Sequence, residues 1–364
     1  MDHTLECLDC AKRVPATVTR LRCHTCAGLF RIAYSTAADA KQQRLPLSVT
    51  SRTVSLGEGR TALLRLDRTA RALGLGDLWA KLEFIAPTGS FKDRGSAVLI
   101  SAALAEGVTE FVEDSSGNAG ASLSAYAAAA AMKAHVFVPA DAASGKLDQI
   151  RIFGAELHLV EGPRQAATDA AEKFVAEHEL PYLSHNLSPY FSDGMKAVAY
   201  ELHLGPARDA GHVVLPVGNG SLLIGATAGF DELAEAGVVD SRPKFHAVQA
   251  QAVQPITAAI NGDAWDSSSA APTVASGIAV GLPPRLNQCV AAVRESGGSA
   301  VAVADSASLN WQRKLARVEG IFCEATAATA FAGLQQLITQ GAISPGESVV
   351  VPITGSGLKD SVPS

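Results

Sequence analysis

Short apolar runs alternating with helical stretches fill most of this chain, and no other feature limits its fold so strongly. Residues 110–113, 134–138, 156–160, 212–217, 244–248, 300–303 and 348–353 read as strands. Residues 97–106, 146–153, 166–177, 195–204 and 222–235 read as helices. Strands alternating with helices of this length imply βαβ units, hence an α/β fold on parallel sheets covered on both faces. At 364 residues the chain is long enough for two lobes with their own cores. A polar stretch at 35–53 reads as a linker, and residues 266–271 as a small polar loop.

In open α/β sheets ligands bind beyond the carboxyl ends of strands, where loops turn into helices. Three such turns are rich in Gly, Ser, Thr and Asn. The first runs from Pro87 to Gly95 and carries Lys92, with Arg94 close behind. A lysine at such a mouth becomes a Schiff-base nucleophile when partial burial and a neighbouring cation lower its pKa. Taken alone it is an ordinary exposed lysine at a helix start. The second turn, Ser115 to Ser122, opens an alanine-rich helix. Unpaired N–H groups at that end hold carboxylates, and Asn118 can donate to a phenolic oxygen. The plainer alternative is a glycine-rich helix cap. The third, Pro216 to Ser221, lets Gly218 and Gly220 bring backbone close to a monoester phosphate, and Ser221 adds a hydroxyl. It has neither the lysine of a nucleotide P-loop nor the dinucleotide spacing. After the last strand, the hydroxyl of Thr354 can meet a heteroaromatic nitrogen; taken alone it is a structural threonine.

Composition narrows the partners. A net charge of -6 with scattered Lys and Arg argues against a nucleic-acid surface. The first residues are not a basic start followed by an apolar stretch, and the alanine run at 125–134, broken by Tyr126 and Lys133, is too short to cross a bilayer. That run reads as a tightly packed helix, and the protein as cytoplasmic with no membrane partner. Cys7, Cys10, Cys23 and Cys26 form two Cys-x2-Cys pairs. Such pairs suit a structural zinc, because four thiolates leave no open position. Two disulfides or a ribbon without metal are the alternatives. Cys289 and Cys323 read as buried small apolar residues.

Together these segments resemble the fold-type II pyridoxal-phosphate enzymes of the tryptophan synthase beta-like superfamily, and among them the threonine synthase-like group. The similarity covers nearly the whole chain: the cysteine ribbon, Gly57-Glu58-Gly59, Lys81 and Glu83, the Ser90-to-Gly95 segment, residues 115–121, Gly145 and Lys146, and Thr354 to Lys359. It implies two doubly wound parallel-sheet domains: a large cofactor domain of residues 36–95 and 201–364, and a small one of 96–200. A zinc-ribbon-like segment at 1–35 precedes them. It also implies that Lys92 forms the Schiff base with pyridoxal 5'-phosphate and acts as general base at Cα. Phe91 then lies beside the ring and Asn118 meets the phenolic oxygen. Gly218, Asn219, Gly220 and Ser221 cradle the phosphate, and Thr354 faces the ring nitrogen. Ser115, Ser116 and Gly117 hold the substrate carboxylate, with Ala119 and Gly120 continuing that loop. The implied activity is a carbon–oxygen lyase or synthase, eliminating or replacing a group at the β or γ carbon of a small activated amino acid, and the implied assembly is a homodimer.

The chain departs from the group's pattern on the substrate side. Ala119 and Gly120 stand where Thr and Ser are usual, Phe191 where an arginine helps to bind the phosphate of phosphohomoserine, Ala86 where Asn is frequent, and Ala325-Thr326 in place of Pro-Ala. One charge-assisted contact is worth about 1.5–3 kcal/mol. Phosphohomoserine is therefore not the expected substrate unless Arg285, Lys196 or His185 replaces that arginine. Threonine synthase proper is the alternative activity. A catalytically silent binding protein, with the ribbon contacting a partner, is the alternative of a different class.

Overall fold

A computed structural model describes residues 3–39, 42–48, 51–140, 142, 144–162, 164–240 and 242–360. In chain order the strands are β1 (His3–Cys7), β2 (Arg13–Pro15), β3 (Phe30–Tyr34), β4 (Leu63–Arg65), β5 (Asp77–Lys81), β6 (Glu110–Glu113), β7 (Lys133–Pro139), β8 (Glu156–Val160), β9 (His212–Pro216), β10 (Lys244–Ala250), β11 (Ala300–Val303) and β12 (Ser348–Pro352). The chain divides into two compact units, Met1–Gly59 with Lys92–Met195, and Arg60–Phe91 with Lys196–Ser364.

The first unit holds two sheets. One is antiparallel, in the order β2-β1-β3, and carries the four cysteines at its turns. The other is parallel, in the order β6-β7-β8. Its apolar residues Val112 and Phe137 are buried with Ala171 of the helix Arg164–His178. The helices Lys92–Ala105 and Pro189–Gly194 cross through glycine: a Cβ on Gly95 would lie 2.8 Å from the Phe191 ring, and one on Gly194 3.0 Å from Gly95 Cα. The antiparallel sheet rests on the second of these helices, where Tyr34 donates to Asp193 and His3 lies 3.4 Å from the Tyr190 hydroxyl.

The second unit is built on a sheet of order β11-β10-β9-β12-β5-β4. All its pairings are parallel except that of β4 with β5. The expected wholly parallel sheet is therefore corrected at that edge. The connection of residues 66–76 carries the short helix Asp67–Leu73 and returns antiparallel. Val214, Val248, Val301, Val349 and Val351 of strands β9 to β12 pack with Phe331, Leu334 and Leu337 of the helix Ala325–Thr339. Each such side chain contributes about 1.5–3 kcal/mol when fully buried.

The strands read from sequence are all present, and the helices need three corrections. The helix read at 97–106 begins at Lys92. The helix read at 195–204 begins at Ala197 and is preceded by a separate short helix, Pro189–Gly194. The alanine run is not helical to its end: Ala131 takes a left-handed φ of 57° after the helix Asn118–Ala130, and the next strand starts at Lys133. The linker expected at 35–53 carries no helix or strand among its described residues; residues 40, 41, 49 and 50 lie outside them. Among the described residues no helix is long and apolar enough to cross a membrane.

One buried pair makes the second unit sensitive to acid. Ser299 N–H donates to His246 Nδ1 at 3.1 Å, so the ring proton sits on Nε2 and faces His212 Nδ1 at 2.9 Å. Burial, then the neighbouring His212, pushes the His246 pKa down to about 3. An unfolded histidine titrates near 6.5, so between these values the unfolded chain binds the extra proton and the folded chain does not. Stability from this group is complete above pH ~6.5 and declines by at most about 1.4 kcal/mol per pH unit as pH falls toward 3. Urea titrations from pH 8 to 4 should show that decline, and His246→Gln should flatten it. An equal slope in the variant would refute the assignment.

Candidate active site

Three loops leave the carboxyl ends of adjacent parallel strands in the second unit, where such sheets bind ligands. After β5, residues 82–91 return along the end of β12. Phe84 N–H donates to Ile353 O at 3.0 Å, Ser356 N–H to Gly89 O at 3.0 Å, and Phe91 N–H to Thr354 O at 3.1 Å. Gly89 has a φ of 79°, a left-handed turn that favours glycine. Lys359 Nζ donates to Thr88 O at 2.8 Å and closes the loop from outside. Phe91 is thereby fixed by its backbone to Thr354, two residues past the end of β12, and Lys92 is the next residue in the chain.

After β9, Gly218, Asn219 and Gly220 lead into the helix Ser221–Glu235. A Cβ on Gly218 would lie 2.9 Å from Ile278 Cα, and Gly220 has a φ of 81°. Backbone therefore passes where no other residue fits. Gly220 at the cap position leaves the first N–H groups of a long helix without a side-chain acceptor. Cys289 lies buried beside this loop, its Sγ 4.0 Å from Asn219 O, and burial pushes its thiol up to about 12. Cys323 is buried with its pKa raised likewise. Both are neutral thiols used as small apolar residues, as expected.

Some polar atoms of these loops have no partner among the described residues. The hydroxyls of Thr354 and Ser90 and Oδ1 of Asn219 are buried with no hydrogen-bond partner among the described residues. Each such atom costs about 1–3 kcal/mol unless a ligand pairs with it. Ser90 was not singled out from sequence. Its signal is only its place in the chain, two residues before the lysine.

The remaining candidate residues belong to the first unit. Lys92 opens the helix Lys92–Ala105, with Asp93 and Arg94 buried behind it. Its Nζ is 5.8 Å from the centroid of the Phe191 ring, which is wholly buried. Behind Phe191, His185 stands edge-on at 5.7 Å, and its Nδ1 is 2.5 Å from the buried carboxylate of Glu113. After β6, residues 115–117 lead into the helix Asn118–Ala130, and Ser115 Oγ accepts from Gly117 N–H at 3.3 Å. Ala119 is buried, and a Cβ on Gly120 would lie 3.1 Å from the Ser115 carbonyl carbon. These two residues shape the turn that presents Ser115, Ser116 and Gly117. Ser122 Oγ donates to Asp93 Oδ1 at 2.6 Å, tying this helix to the one that carries Lys92.

The cysteine turns bring four sulfurs within 4.8 Å of one another. Cys7 and Cys26 sulfurs are 3.4 Å apart and those of Cys10 and Cys23 are 3.7 Å apart, and all are free thiols. The tetrahedron of thiolates around a zinc with bonds of about 2.3 Å has edges of about 3.8 Å. Ala11 and Ala27 take left-handed φ values of 57° and 60° to close the two turns. The backbone N–H of Thr25 on the Cys23 sulfur is the main cause that lowers this thiol to about 6.

Residues 54–355 match the family model of pyridoxal-phosphate dependent enzymes. The threonine synthase of Methanocaldococcus jannaschii is 34% identical over 97% of this chain and 92% of its own length. That of Methanosarcina acetivorans is 34% identical over 98% and 92%, and that of Mycobacterium tuberculosis 33% over 88% of each. Among solved structures, threonine deaminase isoform 2 from Solanum lycopersicum superposes with a TM-score of 0.70 at 20% identity, covering 86% of this chain and 95% of that one. O-ureido-L-serine synthase does so with a TM-score of 0.70 at 20% identity, over 86% and 93%. These two likenesses concern the fold.

Proposed function

The chain belongs to the pyridoxal-phosphate dependent enzymes, and from that premise we propose that Lys92 carries the cofactor and that the substrate is an amino acid activated by a group other than phosphate. The protein is a lyase of the threonine synthase-like group, eliminating or replacing a substituent at the β or γ carbon.

The residues fit the group. Gly218, Asn219, Gly220 and Ser221 would hold the phosphate on the open helix end, and Phe91 would lie beside the ring. Asn118 would donate to the phenolic oxygen, and the unpartnered hydroxyl of Thr354 would face the ring nitrogen. When bound, pyridoxal phosphate supplies a sink for the electron pair left at Cα. Lys92 Nζ takes the Cα proton and can return it one carbon further on, as a positioned general base and acid. Ser115, Ser116 and Gly117, with Ala119 and Gly120 shaping the turn, offer N–H groups to the substrate carboxylate. Thr354 is uncharged and draws less electron density than an ionised partner would, which favours loss of a leaving group over transamination.

Phe191 carries the substrate reading. Its buried ring faces Lys92 where the group keeps an arginine. The residues that could replace that arginine are engaged elsewhere: Lys196 Nζ with Glu232 at 2.8 Å, His185 with Glu113, and Arg285 with Gln288 at 2.6 Å. Acylated homoserine or serine is therefore favoured over phosphohomoserine. Threonine synthase proper is the second reading, favoured by relatives of that name along nearly the whole chain. A panel of O-acyl and O-phospho amino acids separates them. The expected result is slow turnover of phosphohomoserine, raised about 10- to 100-fold in kcat/KM by Phe191→Arg. Threonine and phosphate released by the unaltered enzyme at roughly 1–1000 per second would overturn it.

The same reading places a structural zinc on Cys7, Cys10, Cys23 and Cys26, supported by the clustered sulfurs. It also takes the protein to be a cytoplasmic homodimer acting on a small amino acid, with neither nucleic acid nor membrane as partner. Six free cysteines support the reducing compartment.

A further inference from the structure

On the β6-β7-β8 sheet, two histidines and a carboxylate that serve none of the roles above converge on one point. Parallel register brings them together: His135 lies opposite Glu156, and Phe137 opposite His158. Alternate residues of a strand share a face, so all project to the same side. The helix Arg164–His178 covers that side. Phe137 stacks flat on the His158 ring at 4.2 Å, and Phe174 lies 4.9 Å from His135 and 5.3 Å from His158, so packing fixes both imidazoles.

The ligand atoms have metal spacing. His135 Nδ1 is 3.0 Å from His158 Nε2 and 3.7 Å from Glu156 Oε2, and His158 Nε2 is 3.6 Å from Glu156 Oε1. Ligands on a tetrahedral ion with bonds of about 2.0–2.1 Å stand about 3.3 Å apart. On the far side of its ring, His135 Nε2 is 2.7 Å from Glu110 Oε1. A proton held there by the carboxylate turns the Nδ1 lone pair inward, the outer contact that metal-bound histidines usually have. The His135 side chain is 4% exposed and that of Glu156 50%, so the cluster is closed behind and open to water in front.

We propose that His135, His158 and Glu156 form a divalent transition-metal site of the zinc class, oriented by Glu110 and completed by water. Coordination uses both imidazole lone pairs, so the proton between the rings leaves and His158 takes up one at Nδ1, a tautomer change without net release. Lys133 opposes the ion: its ammonium lies 3.0 Å from Glu110 and 3.1 Å from Glu156. Its side chain is 53% exposed and can turn to solvent when the metal enters.

Zinc binding to the full-length holoenzyme, measured by equilibrium dialysis with metal analysis, tests this. The unaltered protein should bind one equivalent of zinc beyond any held by the cysteines. His158→Gln and Glu156→Gln should lose that equivalent, and Glu110→Gln should weaken it about 10- to 100-fold. Lys133→Gln should tighten it. Cobalt(II) in the same site should show no thiolate charge-transfer absorption, which separates it from the cysteine cluster, and lyase activity should be unchanged in all four variants. Equal zinc content in the unaltered protein, His158→Gln and Glu156→Gln would overturn the proposal, as would a thiolate band on the equivalent that these variants lose.

Discussion

Lys92→Ala is expected to lower turnover by about three orders of magnitude or more while leaving the fold intact. The loss follows from position. The lysine opens the helix Lys92–Ala105, directly after a residue whose backbone is bonded to Thr354, and its amine looks across the buried Phe191 ring. A positioned proton acceptor contributes about 10²–10⁴ in rate, and loss of the covalent anchor adds to that. Stability should change little, because the side chain is only half-buried and fills no core gap. Lys92→Arg should be about as inactive, since a guanidinium stays protonated at working pH. Steady-state rates, the visible absorbance of bound cofactor and circular dichroism together check the expectation. Partial rescue of Lys92→Ala by a small added primary amine would identify the missing group as the amine itself. Activity of Lys92→Ala within tenfold of the unaltered enzyme would end the assignment.

The second large effect is on stability. In the second unit, Lys196 Nζ meets Glu232 Oε1 at 2.8 Å, with side-chain exposures of 1% and 5%. Tyr200 donates its hydroxyl to the other carboxylate oxygen at 3.1 Å. The helix Ser221–Glu235 approaches closely here, since a Cβ on Gly229 would lie 2.6 Å from Lys196 O. Neither side chain can leave without opening that contact. Glu232→Leu removes one side of a buried ion pair and should cost about 3–5 kcal/mol, the usual penalty for that change. Adding Lys196→Met should recover most of it, because an apolar pair of similar volume is often neutral or stabilising. Urea unfolding of the two single variants and the double variant gives the coupling directly. A double variant no more stable than Glu232→Leu would show that the pair acts through something other than its charges.

How far the fold was legible depends on how much each element relies on local pattern. The strands β6 to β12 declare themselves by apolar, β-branched runs bounded by turns, and the glycine-rich loops follow from them. β4 does not, because Leu63–Arg65 is short and mostly exposed, and pairing holds it rather than propensity. The helix Asp305–Glu319 was not read from the sequence either, for its polar face outweighs its buried residues Trp311 and Leu315. In the site, Lys92, the 218–221 loop and Thr354 were visible because residue type and position relative to a strand end carry the chemistry. The placing of Phe191 beside Lys92 was not, since it depends on Gly95 and Gly194 meeting at a helix crossing. The His135, Glu156 and His158 cluster was equally hidden, because strand register alone makes neighbours of residues on β7 and β8.

The place of β12 sets the order in which this chain can finish folding as it is synthesised. It is the last strand in sequence, yet it lies between β9 and β5 near the middle of the large sheet. Before β12 has been made, β4 with β5 and β9 with β10 and β11 can form as separate blocks, each with an open edge where β12 belongs. Such edges invite pairing with other chains. Thr354 and its tie to Phe91 arrive with the same segment, so this backbone contact forms only when the sheet closes. A nascent chain that lacks β12 therefore keeps two open edges in the middle of its large sheet.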